Sequence, residues 1–244
     1  MAKETLTVRV REALLKGTIS DWQHYHNLIG KYVTPESTVL DIGCGKGDIS
    51  PFPWSETPHR HLIGIDPDPA AKENAVIDEF HHLDVAADWP VEDKSVDIAI
   101  SRYVLEHVAD VEFFFANLRR VLRPGGTFIF LTPNKYNPFM AMSRLLPMSL
   151  KRKILSSTAD QIDEDDVFPV CYRLNSRGAI RKAAREEGFT VDELYCRDHR
   201  PLGYFNFSLI TFLPAYLFHL IAKGLFLDRI FGASLSGVLK KTGD

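Results

Sequence analysis

The sequence predicts an α/β fold: a mostly parallel sheet with helices on both faces, extended by helical additions. Three observations predict it. Short apolar runs alternate with stretches of helical periodicity from residue 8 to residue 132. The first of those runs ends in a glycine-rich turn, the form taken where a buried strand feeds a helix. The chain, at 244 residues, is long enough for one such domain with a full core. We therefore expect a single domain over residues 1–244, with insertions at about 135–172 and 201–231.

The elements follow in order. Residues 8–33 have helical periodicity and carry a cluster of Trp22, His24, Tyr25 and His26. Thr38–Ile42 is an apolar run that stops at glycines, so it reads as a buried first strand. His61–Asp66 is a second strand ending in an acid, after which Pro67 and Pro69 break the chain before a helix. Phe80–Asp84 reads as a third strand and Val96–Ser101 as a fourth. Residues 110–122 are helical by spacing, with Pro124-Gly125-Gly126 as a stop, and Thr127–Thr132 is a β-branched and aromatic fifth strand. Helical pattern returns at Ser176–Glu187 and closes at Gly188. Thr190–Cys196 reads as a sixth strand and Ser234–Lys241 as a last short one.

Composition removes several function classes. The formal net charge of −3 lacks the basic excess by which general nucleic-acid binders meet phosphates, so no nucleic-acid partner is expected. Cys44, Cys171 and Cys196 are widely spaced, with no CxxC pair, which argues against a disulfide framework or a zinc site. No metal is expected from the spacing of the histidines at 24, 26, 81 and 82. The N-terminus lacks a signal-peptide apolar core, and the expected location is cytoplasmic.

The central signal is Asp41-Ile42-Gly43-Cys44-Gly45-Lys46-Gly47. Glycines permit the tight turn and a close approach of ligand to backbone. The spacing is GxGxG, whereas a dinucleotide fingerprint is GxGxxG. Asp41 sits two residues before the first glycine, where a carboxylate suits a cationic ligand group better than a pyrophosphate. Asp66, 25 residues after Asp41 at the end of the second strand, is placed to accept hydrogen bonds from ribose hydroxyls.

This combination resembles the class I S-adenosylmethionine (SAM)-dependent methyltransferases, especially the broad small-molecule group of the methyltransferase type 11 kind with the DxGCGxG form. The resemblance runs from about Val39 to Asn134. It implies a Rossmann-like, seven-stranded, mostly parallel sheet, with the last strand antiparallel beside the fifth. It also implies SAM as cofactor and S-adenosylhomocysteine as product. In that family the glycine loop wraps the methionine part of SAM, which falls here on Asp41, Gly43, Gly45 and Gly47. The ribose acid falls on Asp66, followed by Pro67, and the adenine-edge contacts fall on Asp84 and Val85. Ser101, Arg102 and Tyr103, at the exit of the fourth strand, would lie beside the cofactor. The NPPY-like tetrapeptide of amino-methyltransferases is absent, since Ser101-Arg102-Tyr103-Val104 stands there. Thr132-Pro133-Asn134 follows the fifth strand and is not its equivalent. An oxygen acceptor, or a less specialised nucleophile, is the expectation.

His107 is the first candidate for a general base, against a structural role in packing or capping the next helix. His199 and Tyr172 are further catalytic candidates. Acceptor specificity in this fold comes from additions at the carboxyl end of the sheet, so both insertions are candidates for an acceptor lid. Residues 201–222 carry no formal charge. For 201–231 three roles stay open: a lid helix packed on the core or in a homodimer interface, an apolar acceptor pocket, or a peripheral membrane contact with Lys223 and Arg229 at its edge. The expected function is methyl transfer to a small-molecule, glycan or lipid-linked acceptor. The alternative is a non-catalytic SAM-binding scaffold acting through the apolar segment.

Overall fold

The computed structural model describes residues 19–47, 52–138, 170–197 and 209–243, together with 10, 13, 14 and 16. The chain forms two compact units: one from 22–133, 169–195 and 235–244, the other from 1–21, 134–168 and 196–234.

The first unit carries the sheet. Its strands are β1 (Thr38–Ile42), β2 (His61–Asp66), β3 (Glu79–His82), β4 (Val96–Arg102), β5 (Leu122–Pro133), β6 (Phe189–Arg197) and β7 (Ser234–Lys241). Their order across the sheet is β3-β2-β1-β4-β5-β7-β6. The pairs β1–β2, β1–β4, β2–β3 and β4–β5 are parallel. The order reverses between β1 and β4, and that reversal opens a crevice at the carboxyl ends of these two strands.

Period-two alternation divides the strand side chains between two faces. Val39, Leu62, Ile98, Ile100, Ile129 and Leu131 share one core cluster with Tyr25, Leu28 and Ile29 of helix α1 (Asp21–Tyr32). On the other face, Phe128 and Phe130 stand 5.7 Å apart, and Phe114 of helix α2 (Val111–Val121) lies 6.0 Å from Phe128. The Asp110 carboxylate caps α2 by accepting the Phe113 N–H at 3.0 Å. Helix α3 (Arg177–Glu186) starts on Ser176, whose hydroxyl accepts the Ala179 N–H at 3.2 Å, and it stops before Gly188 at φ +76°.

Several boundaries differ from the sequence expectation. The helix expected over 8–33 is interrupted: Ile19 and Ser20 are coil, and α1 begins at Asp21. The helix expected after Pro69 is one 3-10 turn, Pro69–Glu73, started by Asp68 through the Ala70 N–H. Pro124-Gly125-Gly126 does not separate helix from strand. It forms a bulge inside β5, between the Val96–Leu122 and Ile98–Thr127 pairings. The third strand spans Glu79–His82, two residues short of the expected Asp84.

The second unit contains helix α4 (Leu209–Gly224) and the single-turn helix α5 (Asp228–Phe231). Asn134 fastens it internally: its amide donates to the Ile230 carbonyl at 2.7 Å and the Gly232 carbonyl at 2.8 Å. Asn137 adds a bond to the Phe231 carbonyl at 2.9 Å. Among the described residues no helix is long and apolar enough to cross a membrane.

Candidate cofactor cleft

The glycine loop is held open from both sides. Gly43, Gly45 and Gly47 all adopt positive φ, at +74°, +56° and +78°, a region where L side chains are strained. A Cβ at Gly43 would collide with Val104 Cγ2, and one at Gly47 would sit 2.6 Å from Asn74 Oδ1. The loop's own backbone is tied down by two side chains from other segments. Asp66 Oδ2 accepts the Gly45 N–H at 2.8 Å while its Oδ1 accepts the Asp68 N–H at 2.8 Å. Asn74 donates to the Gly45 carbonyl at 3.0 Å and to the Cys44 carbonyl at 3.3 Å.

Strand alternation aims the site. Asp41 continues the face of Val39, Asp66 that of Leu62, and Arg102 that of Ile98 and Ile100, so all three share the α1 side of the sheet. A cleft of about 440 Å³ opens there, its mouth included. Asp41, Gly43, Gly47 and Arg102 wall it, joined by Tyr25, His26 and Ile29 of α1 and by Phe52, Trp54 and Asn74. The Arg102 guanidinium lies 4.2 Å from the Trp22 ring centre, a stack that fixes its direction.

The electrostatics are those of a site built for a ligand. Burial pushes the Asp41 carboxyl up to about 7, with Arg102 opposing and Asp66 adding to the rise. Burial raises Tyr25 well above the usual phenol range, with Asp41 adding to it. Burial and then Arg102 lower His26. The Tyr25 hydroxyl and the His26 Nε2 are buried and have no hydrogen-bond partner among the described residues. Unpaired buried polar atoms cost about 1–3 kcal/mol each, and here both belong to residues that wall the same cleft.

The other expected residues fall as follows. Ser101 lies on the opposite face of β4 from Arg102, with its hydroxyl buried and unpartnered among the described residues. Tyr103 leaves β4 at φ +58°, its N–H bonded to the Leu131 carbonyl at 2.8 Å. The Pro67 carbonyl bonds the His82 ring at 2.9 Å. Asp84 is exposed and its carboxylate accepts the Ala86 N–H at 2.8 Å, while the Val85 carbonyl accepts the Trp89 indole N–H at 3.3 Å. His107 is half-buried, and His107 and Tyr172 do not wall the cleft. His199 lies outside the described residues, as do 139–169 and 201–208 of the two insertions.

Sequence reasoning missed a buried chain beside His107. Asn175 donates to the Thr132 hydroxyl at 2.6 Å, and Thr132 donates to the Glu106 carboxylate at 3.0 Å. Burial raises the Glu106 carboxyl, with its hydrogen bonds and His107 opposing. The Glu106 carbonyl accepts the Cys171 N–H at 2.7 Å and the Tyr172 N–H at 3.1 Å, which holds Tyr172 at φ +51°.

The glycine cradle, the acid at the end of β2 and the strand order together define a class I SAM-dependent methyltransferase fold. A family profile described as "Methyltransferase domain" matches residues 15–194, and the chain belongs to that family. It is 36% identical over 101 residues to a probable S-adenosylmethionine-dependent methyltransferase of Mycolicibacterium smegmatis, covering 40% of this chain and 38% of that protein. It is 36% identical over 109 residues to a ubiquinone biosynthesis O-methyltransferase of Rhizobium rhizogenes, covering 40% of this chain and 41% of that protein. The chain thus spans about two fifths of the length of these relatives. Geranyl diphosphate C-methyltransferase from Streptomyces coelicolor, crystallised with S-adenosyl-L-homocysteine, shares the fold. The TM-score is 0.55 at 15% identity, over 90% of this chain and 79% of that one.

Proposed function

We propose that the chain is a SAM-dependent methyltransferase acting on a small-molecule, glycan or lipid-linked acceptor at oxygen. The observation that carries the reading is the cleft at the β1–β4 reversal, where Asp41, Arg102 and two unpartnered polar atoms meet a glycine cradle. The donor set fits a zwitterionic amino-acid group attached to a nucleoside. Asp41 takes the ammonium, with the Tyr25 hydroxyl oxygen accepting from it as well. Arg102 and His26 take the carboxylate. Asp66, at the end of β2, is the proposed acceptor for the ribose hydroxyls. Asp84 and Val85 stand as the adenine-edge residues.

Bound SAM supplies an electrophilic methyl group that is transferred by direct displacement. The protein's part is then mostly alignment, worth up to about 7–11 kcal/mol in favourable cases. His107 is the proposed base for the acceptor hydroxyl, with Tyr172 and His199 as the other candidates. The oxygen assignment is supported by the absence of an NPPY-like segment after β4 and by the name of the Rhizobium O-methyltransferase. The segments 135–172 and 201–231 are proposed as the acceptor-side additions to a single methyltransferase domain.

Titration calorimetry with SAM, S-adenosylhomocysteine and NADH tests the cofactor reading. Saturable binding of the first two and none of NADH is expected. The reverse preference would replace it with a nicotinamide enzyme.

A further inference from the structure

We propose that Glu106 is a positioning residue for methyl transfer, which locks the loop leaving β4 onto β5 and onto the segment leading into α3, and so fixes where His107 and Tyr172 stand. This role rests on the function proposed above. Three stretches of chain, all within the sheet-bearing unit, meet at Glu106. From β5, the Thr132 hydroxyl donates to the Glu106 carboxylate at 3.0 Å. Asn175, just before the Ser176 cap of α3, donates to the Thr132 hydroxyl at 2.6 Å and to the Pro133 carbonyl at 3.0 Å. Glu106, Thr132 and Asn175 are 5%, 0% and 0% exposed, so bulk water does not compete for these bonds. The Glu106 carbonyl accepts the Cys171 and Tyr172 N–H groups at 2.7 and 3.1 Å. Tyr172 stands at φ +51°, where a bulky L residue is held only by its surroundings.

Packing alone does not call for a carboxyl here. An apolar side chain of similar size would fill the space without desolvating an acid, and burial already disfavours the charged form of Glu106. A hydrogen-bonded acid adds direction: its bonds accept one arrangement of the three stretches, whereas apolar contacts accept several. The arrangement it selects lies at the carboxyl end of β4, beside the β1–β4 crevice. The loop from Tyr103 to His107 is pinned near both ends to consecutive residues of β5. The Tyr103 N–H bonds the Leu131 carbonyl at 2.8 Å, and Glu106 takes the Thr132 hydroxyl. Tyr103 itself stands at φ +58°, so the loop carries one left-handed aromatic residue and grips another, Tyr172. His107 follows Glu106 directly, and its N–H closes a turn on the Val104 carbonyl at 2.9 Å. A base on such a loop has little freedom, and a displacement of about 1 Å can cost about 10²-fold in rate. Glu106, Thr132 and Asn175 do not wall the cofactor cleft, so their effect on the rate separates from any effect on SAM binding.

The experiment measures transfer from methyl-labelled SAM by the full chain, with serial dilutions of an extract of the source organism as acceptor, and SAM affinity by calorimetry. Glu106→Ala and Thr132→Val should lower the maximal rate about 10–100-fold with SAM affinity near that of the wild type. Glu106→Gln keeps an oxygen to accept from Thr132 and should restore most of the rate that the alanine loses. Should Glu106→Ala fail to fold, Thr132→Val, which keeps the shape of the side chain, carries the test. Wild-type rates in Thr132→Val and in a folded Glu106→Ala overturn the proposal. So does a loss of SAM affinity that matches the loss of rate, which would make the chain of bonds a structural brace only. Glu106→Gln as slow as the alanine also overturns it, since the acid itself and not its placing of the loop would then be at work. A wild type that binds SAM and transfers no label removes the proposed function, and this role with it, whereas the three preceding results leave wild-type transfer intact.

Discussion

Asp41→Asn should make the ligand-free protein more stable at high pH while removing its cofactor binding. Burial holds the Asp41 carboxyl at about 7 instead of 3.8. At about 1.36 kcal/mol per pKa unit, the ionised form costs the folded state about 4 kcal/mol. The sign follows from linkage. Below about pH 4 both the folded and the unfolded carboxyl are protonated and there is no penalty. As pH rises the unfolded chain ionises first, so the penalty grows until about pH 7 and is then constant. Asparagine imitates the protonated form and feels none of it. The variant should therefore exceed wild type by up to about 4 kcal/mol at pH 8 and by about 2 kcal/mol at pH 5. Solvent in the open cleft screens these upper values without changing their order. Urea denaturation of both proteins at the two pH values measures the difference. A variant no more stable than wild type at pH 8, or an advantage independent of pH, would refute the idea that Asp41 is a half-buried carboxylate waiting for a cation.

Four further outcomes follow from the same geometry. SAM affinity of the wild type should fall as pH drops below about 7, by up to tenfold per unit, as protonated Asp41 loses its charge; calorimetry across pH 5.5–8.5 checks this, and a flat profile contradicts it. Tyr25→Phe should stabilise the ligand-free protein by about 1–3 kcal/mol, because it deletes a buried unpaired hydroxyl, and should weaken SAM binding. Asp66→Ala strips partners from the Gly45 and Asp68 N–H groups, so SAM affinity should fall at least about tenfold and stability by about 1–3 kcal/mol per orphaned group. His107→Ala should leave SAM binding near wild type and lower turnover about 10²–10⁴-fold; normal turnover removes His107 as the base.

The sheet was legible because its strands are short apolar runs bounded by acids, glycines and prolines. β1, β2 and β7 begin and end where the sequence places them. The start of α1 was passed over, although Gly17 breaks the helical run and Ser20, with Gln23 three residues on, has the form of a capping box. The bulge at Pro124-Gly125-Gly126 was hidden because those residues stop helices and kink strands alike. Asp41 and Arg102 are recoverable from strand parity alone. The same parity assigns Ser101 to the opposite face, which residue-by-residue reading of the segment passed over. The far wall of the cleft was not readable. Tyr25 and His26 arrive from a helix before β1, and Asn74 from the turn before β3. Only the tertiary packing shows that they meet the glycine loop. The cluster at residues 22–26 was visible as a cluster, but nothing in its spacing names a role.

Methyl transfer is measured with methyl-labelled SAM, the purified protein and an extract of the source organism separated into lipid, small polar and macromolecular fractions. Enzyme-dependent label in the lipid or small polar fraction, lost with Asp41→Asn, is the expected result. Label that is equal with and without the protein, despite saturable SAM binding, would contradict catalysis and leave a cofactor-binding scaffold.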